Sequence, residues 1–241
     1  MITTESLMTG YHVLHFQANL SRYLEGLAVT NGTENGTGAR RYKKSFEMIG
    51  GSPALDLVNT LDWRFRAEPP PEELLKDYYD LAQFSAQSGL MSDAVARRLI
   101  RNVSVSKAAH VVAAVRELRE AAAQVLYAVL EGDAPSGASV KSLEGFFREA
   151  RESQRLMWDG EKLAWELTQS AAPAELPLWM LSLKVADLIT SDGMHRLREC
   201  GNAECRWLFL DTSKNHTRRW CDMKICGNRM KARRFKAQRR G

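Results

Sequence analysis

Residues 200–229 read CGNAECRWLFLDTSKNHTRRWCDMKICGNR, and the four cysteines in this run are the only ones in the chain. Their spacing is Cys200-x4-Cys205-x15-Cys221-x4-Cys226. Two close pairs, each able to come from one tight turn, with a connector long enough to bring the turns together, is how a chain assembles four tetrahedral thiolate ligands. The expected occupant is one structural Zn2+. Two other uses compete with it. Disulfides are disfavoured because the first twenty residues lack a basic start and an unbroken apolar core, which also makes a cytoplasmic location the expectation. An iron–sulfur cluster fits poorly with the basic surroundings. His216, in the loop between the pairs, is a possible substitute ligand, but a solvated loop histidine is the simpler reading. With four cysteines as ligands no coordination position stays open, so the metal is expected to organise the fold and not to catalyse. Gly201 and Gly227, each following an outer cysteine, are expected to take positive φ and to turn backbone N–H groups toward sulfur.

Working outward, the charge changes at the same point as the cysteine content. From Cys200 to Gly241 there are 12 Lys and Arg against 3 Asp and Glu, although the whole chain is only +5. An acidic body therefore carries a basic tail, which implies a polyanionic partner, with nucleic acid ahead of an anionic membrane surface. After Cys226 the sequence has no proline and reads as a terminal helix. Arg229, Arg233, Lys236 and Arg240 fall at spacings of four, three and four, on one stripe. With Lys231, Arg234, Arg218 and Arg219 they are the candidate nucleic-acid contacts. Trp207 and Phe209 are expected to be the core of the small metal module.

Residues 1–44, ending in NGTENGTGARRYKK, have the composition of an arm without fixed structure. The folded body then runs over 45–194 and the metal module over 195–241. Within the body, Ser52 and Pro53 cap and open a helix. Further helices are expected over Glu72–Gln87, Ser92–Arg101, Ser106–Leu130, Val140–Ser153 and Pro173–Thr190, from apolar residues at helical period. Asp159-Gly160 between Arg155–Trp158 and Lys162–Thr168 reads as a two-residue hairpin turn, with Leu163, Trp165 and Leu167 alternating as a strand that covers a helical layer would. His110, alone on the long helix, reads as a packing residue. The fold class is mainly α, with some β: a helical N-terminal domain with one β-hairpin, then a small four-cysteine module ending in a basic helix. At 44% hydrophobic and 26% charged the chain has the composition of a globular protein. Its most apolar run, Pro173 to Ile189, carries Glu175, Lys184 and Asp187 and cannot span a bilayer.

Residues 200–240, with the Cys226-Gly227-Asn228-Arg229 motif, the Trp220-Cys221 pair and the run Leu208-Phe209-Leu210-Asp211, resemble the CGNR zinc-finger family. The stretches GGSPALDLVNTLDWR (50–64) and ELLKDYYDLAQFSAQSGLM (73–91) are similar to the ABATE-type domain of bacterial stress-induced transcription regulators. The resemblance implies zinc at the four cysteines and DNA binding by the C-terminal module. From the residues themselves the body is a candidate sensor or homodimerisation unit: Asp56, Asn59 and Thr60, polar in an otherwise apolar segment, with Arg64 after them, are the candidate ligand pocket for a small-molecule effector, against the simpler reading that they satisfy neighbouring backbone groups or the helix end. An RNA- or ribosome-binding zinc protein is the alternative. An enzyme acting on a small metabolite is less favoured, because no nucleophile motif, open metal site or paired acid and base is present.

Overall fold

The computed structural model describes residues 45–167 and 173–239. The proposed arm, residues 1–44, lies outside the described residues, as do Thr168 and Arg240. Of Arg234 and Lys236 only the backbone is described.

Seven α-helices and three two-stranded antiparallel sheets make up this part of the chain. Helix α1 (Pro53–Val58) opens on Ser52, whose side chain accepts from the Ala54 N–H, with Pro53 in the first turn where its missing donor costs nothing. Strands β1 (Leu61–Asp62) and β2 (Glu72–Glu73) then pair. The next helix, α2, covers Tyr78–Gln87 and so starts later than its periodicity predicts. Glu72 and Glu73 are taken into the strand pair, and Asp77 caps the helix by accepting from the Asp80 N–H.

Helix α3 (Asp93–Asn102) starts at Ser92, and α4 (Val105–Glu131) is capped by Ser104 and stops at Gly132. Helix α5 (Gly137–Glu152) begins at the Ser136 cap, and α6 (Leu176–Ile189) follows the hairpin. Helices α1, α4, α5 and α6 pack on one another, with α2 and α3 to one side. Leu55, Leu81, Val115, Leu126, Leu181 and Val185 are fully or almost fully buried between them. His110 is exposed on α4, so it does not pack. Among the described residues no helix is long and apolar enough to cross a membrane.

Strands β3 (Gln154–Trp158) and β4 (Leu163–Leu167) form the anticipated hairpin, with two differences. The turn runs from Asp159 to Lys162, and Asp159 Oδ1 accepts from the Glu161 and Lys162 N–H groups. The apolar face also points outward: Leu163 is 60% and Trp165 55% exposed, and only Leu167 is buried. Alternation marked a strand correctly, but among the described residues this ribbon pairs only with itself, and most of its apolar side chains are exposed.

After a 3₁₀ turn (Asp192–Arg196) come β5 (Leu197–Glu199) and β6 (Leu208–Leu210), then a π-turn (Met223–Gly227) and helix α7 (Asn228–Gln238). The β5–β6 hairpin belongs to two cores at once. Leu197 and Leu208 complete the helical core, while Trp207 and Phe209, pointing the other way by strand alternation, pack with the four cysteines.

Candidate metal centre and basic helix

The first pair of cysteines sits on the connector between β5 and β6. The Cys200 N–H donates to the Trp207 carbonyl at 2.8 Å, closing the hairpin at its metal end. Asn202 organises the turn that follows. Its carbonyl accepts from the Cys205 and Arg206 N–H groups, its Oδ1 accepts from Glu204, and its Nδ2 donates to Cys226 Sγ at 3.7 Å. A buried side-chain N–H aimed at sulfur supports a negatively charged sulfur there. Arg206 leaves the turn at φ 48, a left-handed conformation uncommon for a residue with a Cβ. Contacts on both sides hold it: Nε to Glu199, Nη2 to Glu131, the guanidinium 4.2 Å from the Phe65 ring, and its carbonyl accepting from the Tyr127 hydroxyl.

The second pair is Cys221, just before the π-turn, and Cys226 within it. Asp222 starts it, its Oδ1 accepting from the Lys224 and Ile225 N–H groups, while the Gly227 N–H returns to the Asp222 carbonyl. Gly201 and Gly227 are not in the positive-φ region. Their small size serves close packing: a Cβ on Gly227 would lie 2.7 Å from Met223 Sδ, and one on Gly201 3.2 Å from both the Arg219 carbonyl and the Trp220 ring. The connector is folded by Asp211, fully buried, which accepts from the Ser213 hydroxyl, the Ser213 N–H and the Arg218 N–H. The Ser213 hydroxyl and then these main-chain donors hold its carboxyl below the usual range.

All four cysteines are buried, and their sulfurs lie within 4.8 Å of one another. Cys205 and Cys221 sulfurs are 3.8 Å apart. A tetrahedron with Zn–S bonds of about 2.3 Å has sulfur–sulfur edges of about 3.8 Å, so the donor set fits a zinc ion. The charge argument agrees. Hydrogen bonds from Cys205, Cys221 and Cys226 push the Cys200 thiol far down, while contact with Cys200 first, then Cys221 and Cys226, pushes Cys205 far up. Four sulfurs this close cannot all be thiolates without a cation among them. Cys200, Cys205, Cys221 and Cys226 thus hold one structural zinc ion.

Helix α7 is cationic, and Arg229 and Arg233, although exposed, each also contact another part of the protein. The Arg229 guanidinium lies 4.4 Å from the Trp63 ring of the helical body, and Arg233 reaches Glu204 at 2.9 and 3.0 Å. Arg218 is half-buried. It stacks 4.3 Å from Phe209, donates to the Trp220 carbonyl at 3.0 Å and the Ile49 carbonyl at 3.4 Å, and also bonds the Cys221 carbonyl. Arg219, beside the Trp220 ring, and Lys231 are exposed.

The four pocket candidates lie close together in and just after α1, and each bonds to the protein. Asp56 Oδ1 accepts from the Gly50 N–H, and burial, the largest influence, raises its carboxyl to about 6 against main-chain hydrogen bonds from Gly50 and Ile49. Asn59 donates to the Leu208 carbonyl and accepts from the Leu208 N–H, both at 2.9 Å. Thr60 Oγ1 donates to Leu57 and accepts from Arg119. Arg64 pairs with Glu120. An ion network continues from there, with buried Arg119 bound to the partly exposed Glu73 at 2.7 Å by both terminal nitrogens and to Glu120 at 2.8 Å. Sequence reasoning missed Asn202, Arg206 and Trp63, whose roles depend on contacts made only in the folded chain.

Two family models match the chain. One, described as "CGNR zinc finger", covers residues 196–239. The other, ABATE, described as "Putative stress-induced transcription regulator", covers residues 51–192. A comparison with curated proteins finds no match.

Proposed function

Because the chain belongs to the ABATE family and ends in a CGNR zinc finger, we propose that it is a transcription regulator whose zinc module binds DNA. The observation that carries this reading is the way α7 is mounted. A helix with a strong excess of positive charge is held at Arg229 by Trp63 and at Arg233 by Glu204, next to a metal centre, and its other face is open. A pinned cationic rod meets phosphates without first losing the conformational freedom of a frayed terminus.

Asp56, Asn59, Thr60 and Arg64 serve in this reading as the joint between domain and finger. Asn59 and the Gly50–Leu210 main-chain bond tie α1 and its entry loop to β6, so a change in the helical domain is transmitted to the finger through the strand they share. Sensing by the body, whether of an effector or of a second copy, acts through this joint. The chain is a regulator and not an enzyme on this account.

The test is fluorescence anisotropy of the zinc-loaded protein with labelled duplex DNA over a salt series. Binding whose log–log salt slope is about −0.9 for each phosphate contacted supports the reading. Absence of binding to duplex DNA at low salt overturns it, and a preference for structured RNA under the same conditions replaces it with the RNA-binding alternative.

A further inference from the structure

The β3–β4 hairpin carries an apolar face that the rest of the described chain leaves half open. In its register Trp158 stands opposite Leu163 at the turn end, and Leu156 stands opposite Trp165 two residues back along each strand. Strand alternation puts these four side chains on one side of the ribbon, with Gln154 and Leu167 at its foot. Leu167 is buried in the helical core, whereas Leu156 is 48% and Trp158 63% exposed, beside the open Leu163 and Trp165. No side chain on this face is charged, since Arg155 and Glu166, opposite one another, stand on the reverse side. Among the described residues the ribbon pairs with no further strand.

We propose that this face is a homodimerisation surface, packed on the same face of a second copy of the chain. At about 250 Å² for a whole tryptophan the two indoles leave roughly 300 Å² open, and the two leucines bring the patch to about 500 Å². That is near the top of what a monomer exposes, and such patches mark interaction sites. Two of them joined bury about 1,000 Å², enough for a specific interface. A face without charge offers nothing to a phosphate backbone, so the occupant is apolar. The placing of large and small side chains then selects a second copy. The tryptophans occupy one diagonal of the four-residue square and the leucines the other. Turning a second ribbon over onto the first, about an axis along the strands or one across them in the plane of the ribbon, exchanges the diagonals, so every indole meets a leucine of the other copy. A two-fold interface requires such self-complementarity, and large-on-small contacts let facing layers interdigitate. The joined ribbons also gain the packed second layer that a lone two-stranded hairpin lacks. Dimerisation is independent of the DNA-binding reading; where both hold, one dimer carries two basic helices.

The test is sedimentation equilibrium of the full zinc-loaded chain over micromolar concentrations. The wild type is expected at twice the chain mass. Trp158→Glu, which puts a carboxylate into the contact twice per dimer, should raise the dissociation constant at least about 100-fold. Its zinc content and helical circular dichroism should be unchanged, because Trp158 belongs to neither buried cluster. Leu163→Trp separates a fitted interface from indiscriminate apolar adhesion: it adds apolar surface yet sets indole against indole, so it should weaken the dimer about tenfold. Tighter association of Leu163→Trp overturns the two-fold packing. A monomeric wild type, or a Trp158→Glu variant that stays dimeric, overturns the surface itself, and a monomer whose hairpin tryptophans resist quenching by iodide shows that another segment of the same chain occupies the face. A wild type that dimerises through this face without binding duplex DNA upholds the surface and removes the DNA-binding reading.

Discussion

Replacing Asn59 with alanine is expected to loosen the finger without touching the metal. Asn59 is 3% exposed and makes two hydrogen bonds of 2.9 Å, one in each direction, to the main chain of Leu208, which is fully buried. Removing the carboxamide leaves a buried N–H and a buried carbonyl without that partner, at roughly 1–3 kcal/mol each, so a total loss of about 2–6 kcal/mol is expected. Even the lower figure raises the population of chains with β6 detached about 30-fold. Since β6 carries Phe209 against the cysteines on its other face, zinc should become correspondingly easier to remove. The assay is the rate of zinc transfer to a chromophoric chelator at neutral pH, alongside denaturant unfolding followed by tryptophan fluorescence. Asn59→Asp, which keeps an acceptor for the Leu208 N–H but opposes its carbonyl with a carboxylate, should be no better than alanine. A change of stability below about 0.5 kcal/mol with zinc release unchanged would refute the idea that finger and body share one strand as a structural unit.

Three further outcomes follow from the same geometry. Lys231→Ala combined with Arg239→Ala should flatten the salt dependence of DNA binding by about 1.8 in slope, whereas Arg229→Ala, whose guanidinium is already held against Trp63, should flatten it by less than about 0.9; anisotropy titrations over a salt series check both. Chelation of zinc, or Cys205→Ser, should abolish ordered finger structure, read as loss of DNA binding and of part of the helical circular dichroism signal while the helical body still unfolds cooperatively. Asp56 has a folded pKa of about 6 against an ordinary value of 3.8, so the folded chain binds the extra proton between these values and the stability linked to it, present at lower pH, is lost as pH rises through about 6. Asp56→Asn should therefore match the wild type near pH 4 and gain up to about 3 kcal/mol at pH 8 in denaturant titrations, and equal stability of the two at both pH values would refute this.

Helix positions were legible wherever a local signal existed. Ser52 with Pro53, Ser92 and the stop at Gly132 act within one turn of chain, and the structure uses them in place. The misplaced start of α2 has a local cause too: Asp77 was a cap signal in its own right, obscured by a periodic pattern running on from Glu72. The β3–β4 hairpin was a different kind of error. Alternation shows that one face is apolar, and it cannot show whether anything packs on that face. Gly201 and Gly227 are special for close packing and not for positive φ: Gly227 is crowded by Met223 within its own turn, and Gly201 by Arg219 and Trp220 only once the two turns have closed on each other.

The metal centre could be read from the chain alone because its information is compact: four thiols, two short turns and the distance between them. The orientation of the terminal helix could not. An amphipathic helix announces its buried side by an apolar stripe, but α7 is polar around nearly its whole circumference, so no pattern within it favours one face. The choice falls to Trp63, more than 160 positions earlier in the chain, and to Glu204 on the first metal turn. In the same way Asn59 reads as a stray polar group on an apolar helix until Leu208, 149 positions away, arrives beside it. Chemistry confined to one turn is written locally, whereas the direction a charged face points is set by partners that only folding brings near.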